Sequence, residues 1–573
     1  MAFPFSSTEN NRWKFGDVAL YLGRDIVTGD DIGIRTDKHA ITVATARSGK
    51  GAALIIPNLM TQSSFNALVV DPKGENVEKT WQTRKIMGQN VRVLDPFNVA
   101  DIPDEIRVKF NILDSIDPKS PTIWEDIRAV ADGLVMRYKS EDGMWDNGAV
   151  TVLSGFIAHA LAYGDAANRT LPAVRSLLRL PDDDLIPVFE AMNQIEGFGG
   201  LGQAAAGIGL SPSRKNREFI GCARDNCEWL DSGPMSSMLS SSSFNFDELK
   251  HGKSTIYLVL PPHLLRTHGR FLRLFVRYAL NVMSRSGLKG ERCLFILDEF
   301  HSLGRIDELA SACGAMPGYG LHLWPFLQDM NQLEELYGKS AETFISNSDI
   351  QTYFGTADDH TLEVISKKLG ETTPEEIAEA PPMKEAYNWW KHGGWFKTDE
   401  ESKAELAAKQ ANEDALHRHK MGMNGRRRLS PLEIKELVAK HDGDKVARSM
   451  IVIGKGGNVF NLALSPYFAP YTPYPIKKEN PANTFAPPEE NEEIANQEDF
   501  WDKISRLQKW KGTKYMALLL LISSALSPYG LFAIIPLMIL WYQVASKETK
   551  HLQGKVRFWS REMTDEESQS IGG

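Results

Sequence analysis

A lysine in a glycine-rich stretch is the first residue whose surroundings suggest chemistry. Residues 44–52 read ATARSGKGA, close to the phosphate-binding pattern G-x-x-x-x-G-K-[ST], but Ala44 replaces the first glycine and Gly51 replaces the final hydroxyl residue. A loop of this kind binds phosphate with backbone N–H groups at the start of a helix. On this motif alone, a glycine–lysine turn before an ordinary helix is an equally good interpretation.

Each residue of this loop has an expected task if the loop binds a nucleotide. Lys50 would reach the β- and γ-phosphates, while Ser48 and Gly49 allow the backbone to turn tightly. Because Gly51 has no hydroxyl group, a water or another residue would have to complete the coordination of Mg²⁺. The implied cofactors are ATP and Mg²⁺. The predicted nucleotide-binding residues are Ala46, Arg47, Ser48, Gly49, Lys50, Gly51 and Ala52.

A second group of chemically suggestive residues ends an apolar run. The stretch CLFILDEF places two adjacent carboxylates, Asp298 and Glu299, at the end of a predicted strand. In ATPases with a phosphate-binding loop, the first acid holds the water shell of Mg²⁺ and the second polarises the attacking water. Gln328 ends a neighbouring predicted strand, where its amide could sense the γ-phosphate. The alternative for the acid pair is simple polar capping of a strand.

Predicted strands must bring these two groups together. His39–Thr45 and Asn66–Asp71 are β-branched runs typical of buried parallel strands, and a helix start lies between them, so they form a βαβ unit. The pattern predicts a doubly wound α/β core, although Pro325 is awkward in a central strand. The remaining predicted strands are Val91–Pro96, Ser254–Pro261, Cys293–Phe300, Leu321–Asp329, Ile350–Thr356 and Ser449–Gly454.

A helical region interrupts the strand pattern. Residues 121–243 show helical periodicity and no strand signal, which predicts an inserted all-α domain. The nucleotide-binding domain would then consist of 1–120, which includes a short N-terminal lead, and 244–476. Within the second part, residues of about 375–428 are polar and charge-mixed, as in a surface excursion. Residues 477–510 are expected to be a linker, with an acidic and disordered first part, and 547–573 a cytoplasmic tail.

One segment near the C-terminus carries no charge. Tyr515–Ala545, within a predicted membrane segment at 511–546, contains two apolar runs around a Ser-Pro-Tyr-Gly break. Each run of roughly 15 residues would span only about 22 Å as a helix, short of the ~30 Å hydrocarbon core. Lysines and arginines flank both ends, which favours a hairpin with both ends in the cytoplasm. A single kinked span and a buried pair of core helices are the alternatives.

Composition limits the class of protein. The chain has 573 residues, 42% of them hydrophobic and 24% charged, which is ordinary globular material for two to four domains. A net charge of −9 argues against coating nucleic acid by bulk charge, but a local basic channel remains compatible with it. The four cysteines form no CxxC pair, which favours a reducing compartment, and the N-terminus lacks the pattern of a cleaved signal peptide.

Three further motifs are expected to carry no chemistry. GFGGLG at Gly197–Gly202 matches G-x-G-x-x-G but follows no strand, so a flexible loop is the better interpretation. His417 and His419 lie in a polar stretch without metal-binding partners and are interpreted as surface residues. The serine run at Met235–Phe244 is interpreted as a linker that leaves the helical region.

Over most of residues 35–470, the chain resembles the coupling proteins of bacterial type IV secretion and conjugation, the TraG/TraD class of hexameric ATPases. The resemblance rests on ordered blocks: ARSGKGAALIIPNL, VVDPKGE, LFILDEFHSLGRIDEL, GYGLHLWPFLQDMNQLEELYG, RRRLSPLEIKEL and IVIGKGGNVFNLALSPYF. The family loop often has glycine after the lysine, so Gly51 follows family usage. The resemblance implies a RecA-like core and an all-α domain that helps recruit substrate.

The resemblance also implies roles for individual residues. Lys50 would bind phosphate, Asp298 would serve Mg²⁺ through its water shell, Glu299 would activate water and Gln328 would detect the γ-phosphate. The block Asp71–Glu75 would lie close to the nucleotide.

Two features depart from the family pattern. Family members usually begin with two transmembrane helices, whereas here the hydrophobic segment is C-terminal. A ring ATPase of this type is expected to use an arginine finger from a neighbouring subunit. Arg305, Arg266 and Arg270 are weak candidates, and the sequence does not choose among them.

The main functional hypothesis is a membrane-anchored homohexameric ATPase on the cytoplasmic face of the bacterial inner membrane. It would recruit relaxase-bound single-stranded DNA, protein effectors or both, and deliver them to the channel of a type IV secretion system. The alternative is a docking receptor that nucleotide merely stabilises, without translocating ATPase activity. A chromosome-segregation translocase of the FtsK type would share the core but would not explain the DPKGE and LSPLEIKEL blocks.

Overall fold

The computed structural model describes residues 13, 15–16, 20–26, 29–136, 143–211, 213–285, 290–372, 426–427, 429–440, 444, 446–454 and 458–468. The predicted linker at 477–510, membrane segment at 511–546 and tail at 547–573 lie outside these residues, as do His417, His419 and most of the polar excursion. The chain divides into two compact units, Met1–Phe485 and Ala486–Gly573, and every described residue belongs to the first. Within the described part, no helix has both the length and the apolar character needed to cross a membrane.

Thirteen strands are found in this part of the chain. They are β1 Leu20–Asp25, β2 Asp31–Ile34, β3 His39–Ala44, β4 Asn66–Asp71, β5 Asn90–Leu94, β6 Ser254–Val259, β7 Cys293–Leu297, β8 Leu321–Leu327, β9 Ser348–Phe354, β10 Glu371–Thr372, β11 Arg426–Arg427, β12 Ser449–Gly454 and β13 Val459–Ala463. Apart from the pair β10–β11, they form one sheet in the spatial order β2-β1-β13-β12-β9-β3-β8-β7-β4-β6-β5.

The sheet is mixed. The strands from β9 to β5 pair in parallel, whereas β12, β13, β1 and β2 continue the sheet beyond β9 in antiparallel register. All eight predicted strands are present, with ends that differ by no more than a few residues. The strands β1, β2 and β13 are a correction, because the residues of β1 and β2 fall in the predicted N-terminal lead and no strand is predicted at β13. These strands are short and contain polar or glycine residues, so their sequences lack a continuous apolar run.

A proline lies in a central strand, where its missing N–H group is normally unfavourable. Pro325 in β8 stands opposite Leu297 of β7, and pairing of β8 with β3 is confined to Phe326 and Leu327. The ladder with β3 therefore uses the residues that follow the proline.

The described residues contain sixteen α-helices. They are α1 Ile56–Thr61, α2 Glu75–Ile86, α3 Ile123–Leu134, α4 Gly143–Tyr163, α5 Leu171–Leu178, α6 Asp182–Asn193, α7 Leu201–Gly209, α8 Arg214–Asn226, α9 Gly233–Met238, α10 Glu248–His251, α11 Leu265–Arg285, α12 Asp307–Ala315, α13 Met330–Tyr337, α14 Ala341–Ser346, α15 Asp359–Leu369 and α16 Pro431–Val438. A π-helix, Gly51–Ile55, runs directly into α1.

Both faces of the parallel sheet are covered, as the doubly wound prediction requires. Alternate residues of β4 enter two separate apolar cores: Leu68 and Val70 pack in one, and Ala67 and Val69 in the other. The first core includes residues of α3, α4 and α11, and the second includes the buried residues of the π-helix and Leu59 of α1. Burial on both faces explains why the strand sequences are continuously apolar.

The helices α3–α10 follow one another between β5 and β6. Two glycines of α4 permit close helix contacts, since a Cβ at Gly148 would lie 2.2 Å from the Phe219 ring and one at Gly155 would lie 2.1 Å from the Cβ of Ala205. GFGGLG follows α6, so the expected absence of a preceding strand is confirmed; Phe198–Gly200 form a 3₁₀ turn and Leu201 and Gly202 begin α7, so the motif is not the flexible loop of the prediction. That residues 121–243 form a separate domain stays a prediction.

The two chain segments that connect the helical region to the sheet are hydrogen-bonded to each other. Backbone N–H groups of Lys109 and Asn111 donate to the hydroxyl oxygens of Ser243 and Ser242, at 3.0 and 3.1 Å. The serine run is therefore not a free linker: its first part belongs to α9, and its later serines join the segment that enters the helical region to the one that leaves it.

Candidate nucleotide-binding site

The glycine-rich loop occupies the predicted position, between a buried strand and a helix start. β3 ends at Ala44, which is fully buried and pairs with Phe354 of β9 in ordinary strand conformation. The loop continues to Lys50, after which the π-helix begins at Gly51. Ala44 is tolerated in place of glycine because the position does not require a positive φ.

Hydrogen bonds fix the shape of the loop. The Ser48 hydroxyl donates to the Thr45 carbonyl at 2.6 Å, and the Thr45 hydroxyl donates to the Gly355 carbonyl, beyond the end of β9, at 2.7 Å. Arg47 and Gly49 adopt positive φ values of 60° and 105°. The second position requires glycine, because its φ is unfavourable for other residues and space is also lacking there.

Three residues far along the chain pack on this loop: Lys440, Val446 and Ala447. None of them is a predicted site residue. The Ala447 N–H donates to the Ser48 carbonyl and the Lys440 Nζ donates to the Arg47 carbonyl, both at 2.8 Å. A Cβ at Gly49 would lie 2.5 Å from Val446 Cγ1. Lys440 is 393 positions from Arg47 in the chain, and no local pattern marks it as a partner.

Lys50 is a buried cation whose Nζ donates no hydrogen bond to any described residue. Its side chain is 9% exposed, and its Nζ lies 3.6 Å from Asp298 Oδ1 and 3.7 Å from Glu299 Oε1. A buried polar group that makes no hydrogen bond costs about 1–3 kcal/mol, and more when it is charged. The described residues therefore provide no hydrogen-bond acceptor for Lys50 Nζ, and an anion could accept hydrogen bonds from it.

The two predicted acids lie immediately after β7, at the carboxyl end of the parallel sheet. The Glu299 N–H donates to Asp298 Oδ1 at 3.0 Å, and Glu299 has a φ of 50°, unusual for a residue other than glycine. Gln328, which follows β8, donates from Nε2 to Glu299 Oε2 at 3.1 Å. The structure thus brings together Lys50, Asp298, Glu299 and Gln328. Of the remaining predicted loop residues, Ala46 and Arg47 are exposed, and the Ala52 carbonyl accepts a hydrogen bond from the Tyr467 N–H.

Burial and neighbouring acids disfavour ionisation of the carboxyl groups at this edge of the sheet. Burial raises the pKa of Asp298; Lys50 opposes this shift and Glu299 adds to it. Asp71 ends β4, the strand next to β7, and burial together with the nearby Asp298 raises the pKa of Asp71 to about 7, against the effect of its hydrogen bonds. This carboxylate accepts hydrogen bonds from the Val77 N–H at 2.9 Å and from Asn76 Nδ2 at 3.2 Å.

The residues fit a nucleotide that brings its own Mg²⁺. In the part of the chain that the structure describes, no cluster of histidine, cysteine or acidic side chains could hold a metal ion by itself. The site instead combines a buried cation lacking a hydrogen-bond acceptor with Asp298, whose side chain remains 18% exposed. That combination suits a phosphate group and its metal ion together.

The three arginine-finger candidates have different surroundings. Arg305 donates from Nε to Asp307 at 2.7 Å, and Arg270 donates to the Asn226 side chain at 3.2 Å. Arg266 is exposed at the start of α11.

Comparison with known proteins places the chain in a family. A family model described as "Type IV secretory system Conjugative DNA transfer" matches residues 4–380. The probable conjugal transfer protein TraG of Sinorhizobium fredii is 27% identical over 347 residues, 59% of this chain and 53% of that protein. Protein VirD4 of Rhizobium radiobacter is 28% identical over 364 residues, 62% of this chain and 50% of that protein. The chain thus spans about half the length of these curated relatives.

Solved structures share the fold. The plasmid coupling protein TrwB in complex with ADP and Mg²⁺ has a TM-score of 0.54 and 15% sequence identity, and the match covers 79% of this chain and 92% of that chain. TrwB in complex with a non-hydrolysable ATP analogue has a TM-score of 0.53 and 14% identity, with 78% and 90% covered. At these identities the likeness shows the fold alone. Because the family model matches well over half of the chain, this protein belongs to the type IV secretory system conjugative DNA transfer family, the family of coupling proteins that its sequence resembles.

Proposed function

We propose that the protein binds ATP with Mg²⁺ and hydrolyses it to drive substrate transfer through a type IV secretion system. The observation that carries the proposal is the buried ammonium group of Lys50, which has no hydrogen-bond partner among the described residues and lies between Asp298 and Glu299. TrwB, which has the same fold, forms complexes with ADP, Mg²⁺ and ATP analogues. Both the family and the site geometry support the same cofactors here.

In the proposed reaction, each residue acts from the position that the sheet gives it. Lys50 donates hydrogen bonds to the β- and γ-phosphates, and the loop from Ala46 to Ala52 surrounds them with backbone N–H groups. Asp298 would hold Mg²⁺ through its water shell, and the metal ion would supply positive charge against the phosphates. Glu299 orients and polarises the attacking water, and Gln328 holds the Glu299 carboxylate until a nucleotide is bound.

The finer parts of the function rest on family membership. We infer that the protein forms a homohexamer on the cytoplasmic face of the inner membrane, anchored by the hydrophobic segment at 511–546. The cargo would be relaxase-bound single-stranded DNA, protein effectors or both, handed to the channel of the secretion system. Conjugative DNA transfer in the family description supports DNA as a cargo.

The test is ATP hydrolysis by the purified full-length chain, measured with and without single-stranded DNA. We expect turnover that DNA stimulates, and its loss in Lys50→Ala. The matched control is Lys85→Ala, which removes a surface lysine paired with Glu105 and should leave turnover unchanged. Hydrolysis by Lys50→Ala at the wild-type rate would refute the proposal. Nucleotide-dependent assembly without any turnover would instead support the docking-receptor alternative.

A further inference from the structure

Gly51, which follows Lys50 in the glycine-rich loop, has no side chain at the position where the usual phosphate-binding loop has a serine or threonine hydroxyl. Gly51 is the first residue of the π-helix and has no positive φ, so the backbone does not require glycine there. A Cβ at Gly51 would lie 3.4 Å from the side-chain oxygen Oδ1 of Asn76, in ordinary contact. The place where a serine or threonine hydroxyl would stand in the usual phosphate-binding loop is therefore adjacent to an amide oxygen.

The orientation of that amide is set by its hydrogen bonds. Asn76, in the first turn of α2, is 4% exposed and donates from Nδ2 to Asp71 Oδ1 at 3.2 Å. The amide nitrogen faces Asp71, and the amide oxygen Oδ1 faces the position that a Cβ of residue 51 would occupy, 3.4 Å away.

Asp71 itself is poorly placed to bind a ligand. Asp71 is 1% exposed, and its two carboxyl oxygens accept hydrogen bonds from Asn76 Nδ2 and from the Val77 N–H. The carboxylate thus holds Asn76 in one orientation and anchors the start of α2. A neutral amide oxygen, unlike another carboxylate, adds no negative charge beside Asp298 and Glu299.

We propose that Asn76 replaces the missing hydroxyl of the phosphate-binding loop: its Oδ1 is a neutral oxygen donor to the Mg²⁺ of the bound nucleotide, and Asp71 is its positioning residue. Amide oxygens are hard donors of the kind that Mg²⁺ accepts, alongside water and phosphate. This inference rests on the nucleotide binding proposed above. It assigns to a residue of the DPKGEN block a task that Gly51 cannot perform.

The experiment measures binding of a fluorescent ADP analogue to the full-length protein, in excess EDTA and over a titration of Mg²⁺. In the wild type we expect Mg²⁺ to tighten binding. In Asn76→Ala we expect the apparent Mg²⁺ affinity to fall by about ten- to a hundredfold, as for other residues that support a metal site, while binding in EDTA stays unchanged. Binding of Mn²⁺ to the ADP complex, followed by its paramagnetic resonance signal, should weaken to the same degree.

Two further variants separate metal binding from a merely structural role. The double variant Gly51→Ser with Asn76→Ala places a hydroxyl next to the vacated space, and we expect it to recover part of the lost Mg²⁺ affinity. The matched control is Thr80→Val, one turn along α2, which removes a buried hydroxyl hydrogen-bonded to the Asn76 backbone carbonyl at 2.5 Å and to the Tyr257 hydroxyl at 2.6 Å but leaves Oδ1 in place. Its Mg²⁺ affinity should equal that of the wild type.

The possible results discriminate between the proposals. Equal Mg²⁺ affinity in Asn76→Ala and wild type would overturn the inference and leave the proposed function standing. An equal loss of binding with and without Mg²⁺, unrelieved by the serine, would show that Asn76 only supports the fold, and would also overturn the inference. Failure of the wild type to bind the analogue under any condition would overturn the proposed function as well.

Discussion

At the scale of single residues, the backbone conformation of Glu299 positions its carboxylate. A φ of 50° is unfavourable for a residue with a Cβ, by roughly 1–2 kcal/mol, and is found mainly where surrounding contacts enforce it. Here the enforcing contacts are the hydrogen bonds of Asp298 and Gln328 on either side. The carboxylate is consequently held within 3.7 Å of the Lys50 ammonium group, where a γ-phosphate is expected.

Glu299→Gln should separate nucleotide binding from hydrolysis. The amide keeps the shape of the side chain but cannot act as a base, so we expect single-turnover ATP hydrolysis to slow by about 10²–10⁴-fold while ADP binding persists. Rapid-quench kinetics and equilibrium binding are the two measurements. Glu335→Gln, which alters an exposed carboxylate near His301, is the control and should hydrolyse normally. Unchanged hydrolysis in Glu299→Gln would show that another group activates the water.

Gly49 and Gly51 should respond differently to alanine. Gly49 has a φ of 105°, and its new Cβ would lie 2.5 Å from Val446, so Gly49→Ala should lower the free energy of unfolding by about 1–3 kcal/mol and weaken nucleotide binding. Gly51 has helical geometry and room for a Cβ, so Gly51→Ala should be stable. Urea denaturation with binding measurements provides the comparison. Equal stability of the two variants would contradict the loop geometry described above.

At the scale of elements, α11 connects the helical region to the loop that carries the acids. Arg277 of α11 forms ion pairs with Asp132 of α3 and with Glu308 of α12. Four positions earlier on the same helix, buried Arg273 donates to the carbonyls of Leu303 and Arg305. A movement of α3 relative to the sheet would therefore displace the segment that follows Glu299 through Arg277 and Arg273.

The two ion pairs of Arg277 should contribute unequally to stability. The Arg277 side chain is 8% exposed, the Asp132 side chain 21% and the Glu308 side chain 50%. Water can solvate the partner that is half exposed, so Asp132→Asn should lower the free energy of unfolding more than Glu308→Gln, by about 1–2 kcal/mol against less than about 1 kcal/mol. Urea denaturation monitored by circular dichroism measures both. The reverse order would show that α12, not α3, depends on this arginine.

At the scale of the whole molecule, a buried histidine links stability to pH. His39 begins β3, and its Nδ1 accepts a hydrogen bond from the Leu323 N–H at 2.9 Å, so the ring proton is on Nε2, which faces the Cys313 carbonyl at 3.2 Å. Burial, together with neighbouring His322, lowers the pKa of His39 to about 4, although the hydrogen bond to Cys313 and the charge of Asp349 act in the opposite direction. Protonation therefore favours the unfolded chain.

The sign of the pH effect follows from the two pKa values. Between about pH 6.5 and pH 4, the unfolded chain binds a proton at His39 that the folded protein does not bind. The contribution of neutral His39 to the free energy of unfolding is therefore complete above about pH 6.5 and is lost as the pH falls towards 4. The loss approaches about 1.4 kcal/mol per pH unit. His39→Gln should be less stable at pH 7.5 but show a shallower decline across this window in urea denaturation. An identical slope would show that other groups, such as His322, dominate acid destabilisation.

Much of the fold and site was predictable because the signals are local. β4 and β12 have the predicted bounds, since continuous apolar runs between polar residues can be recognised without a tertiary structure. Lys50 and the pair Asp298–Glu299 stand in recognisable patterns for the same reason. β1, β2 and β13 are not among the predicted strands, because short strands of mixed polarity are defined by their pairing partners more than by their own composition.

The sequence predicts the family, which the family model confirms, and the parallel core, and it predicts four site residues that the structure brings together: Lys50, Asp298, Glu299 and Gln328. The tertiary structure adds which distant groups pack beside them: Lys440 and Ala447 on the loop, and Asn76 next to Gly51. The physical reason is that a local pattern records what one strand or turn must bury or expose. It does not record which remote backbone carbonyl or side-chain oxygen will occupy the space that a missing side chain leaves, because that depends on how all the packed elements meet.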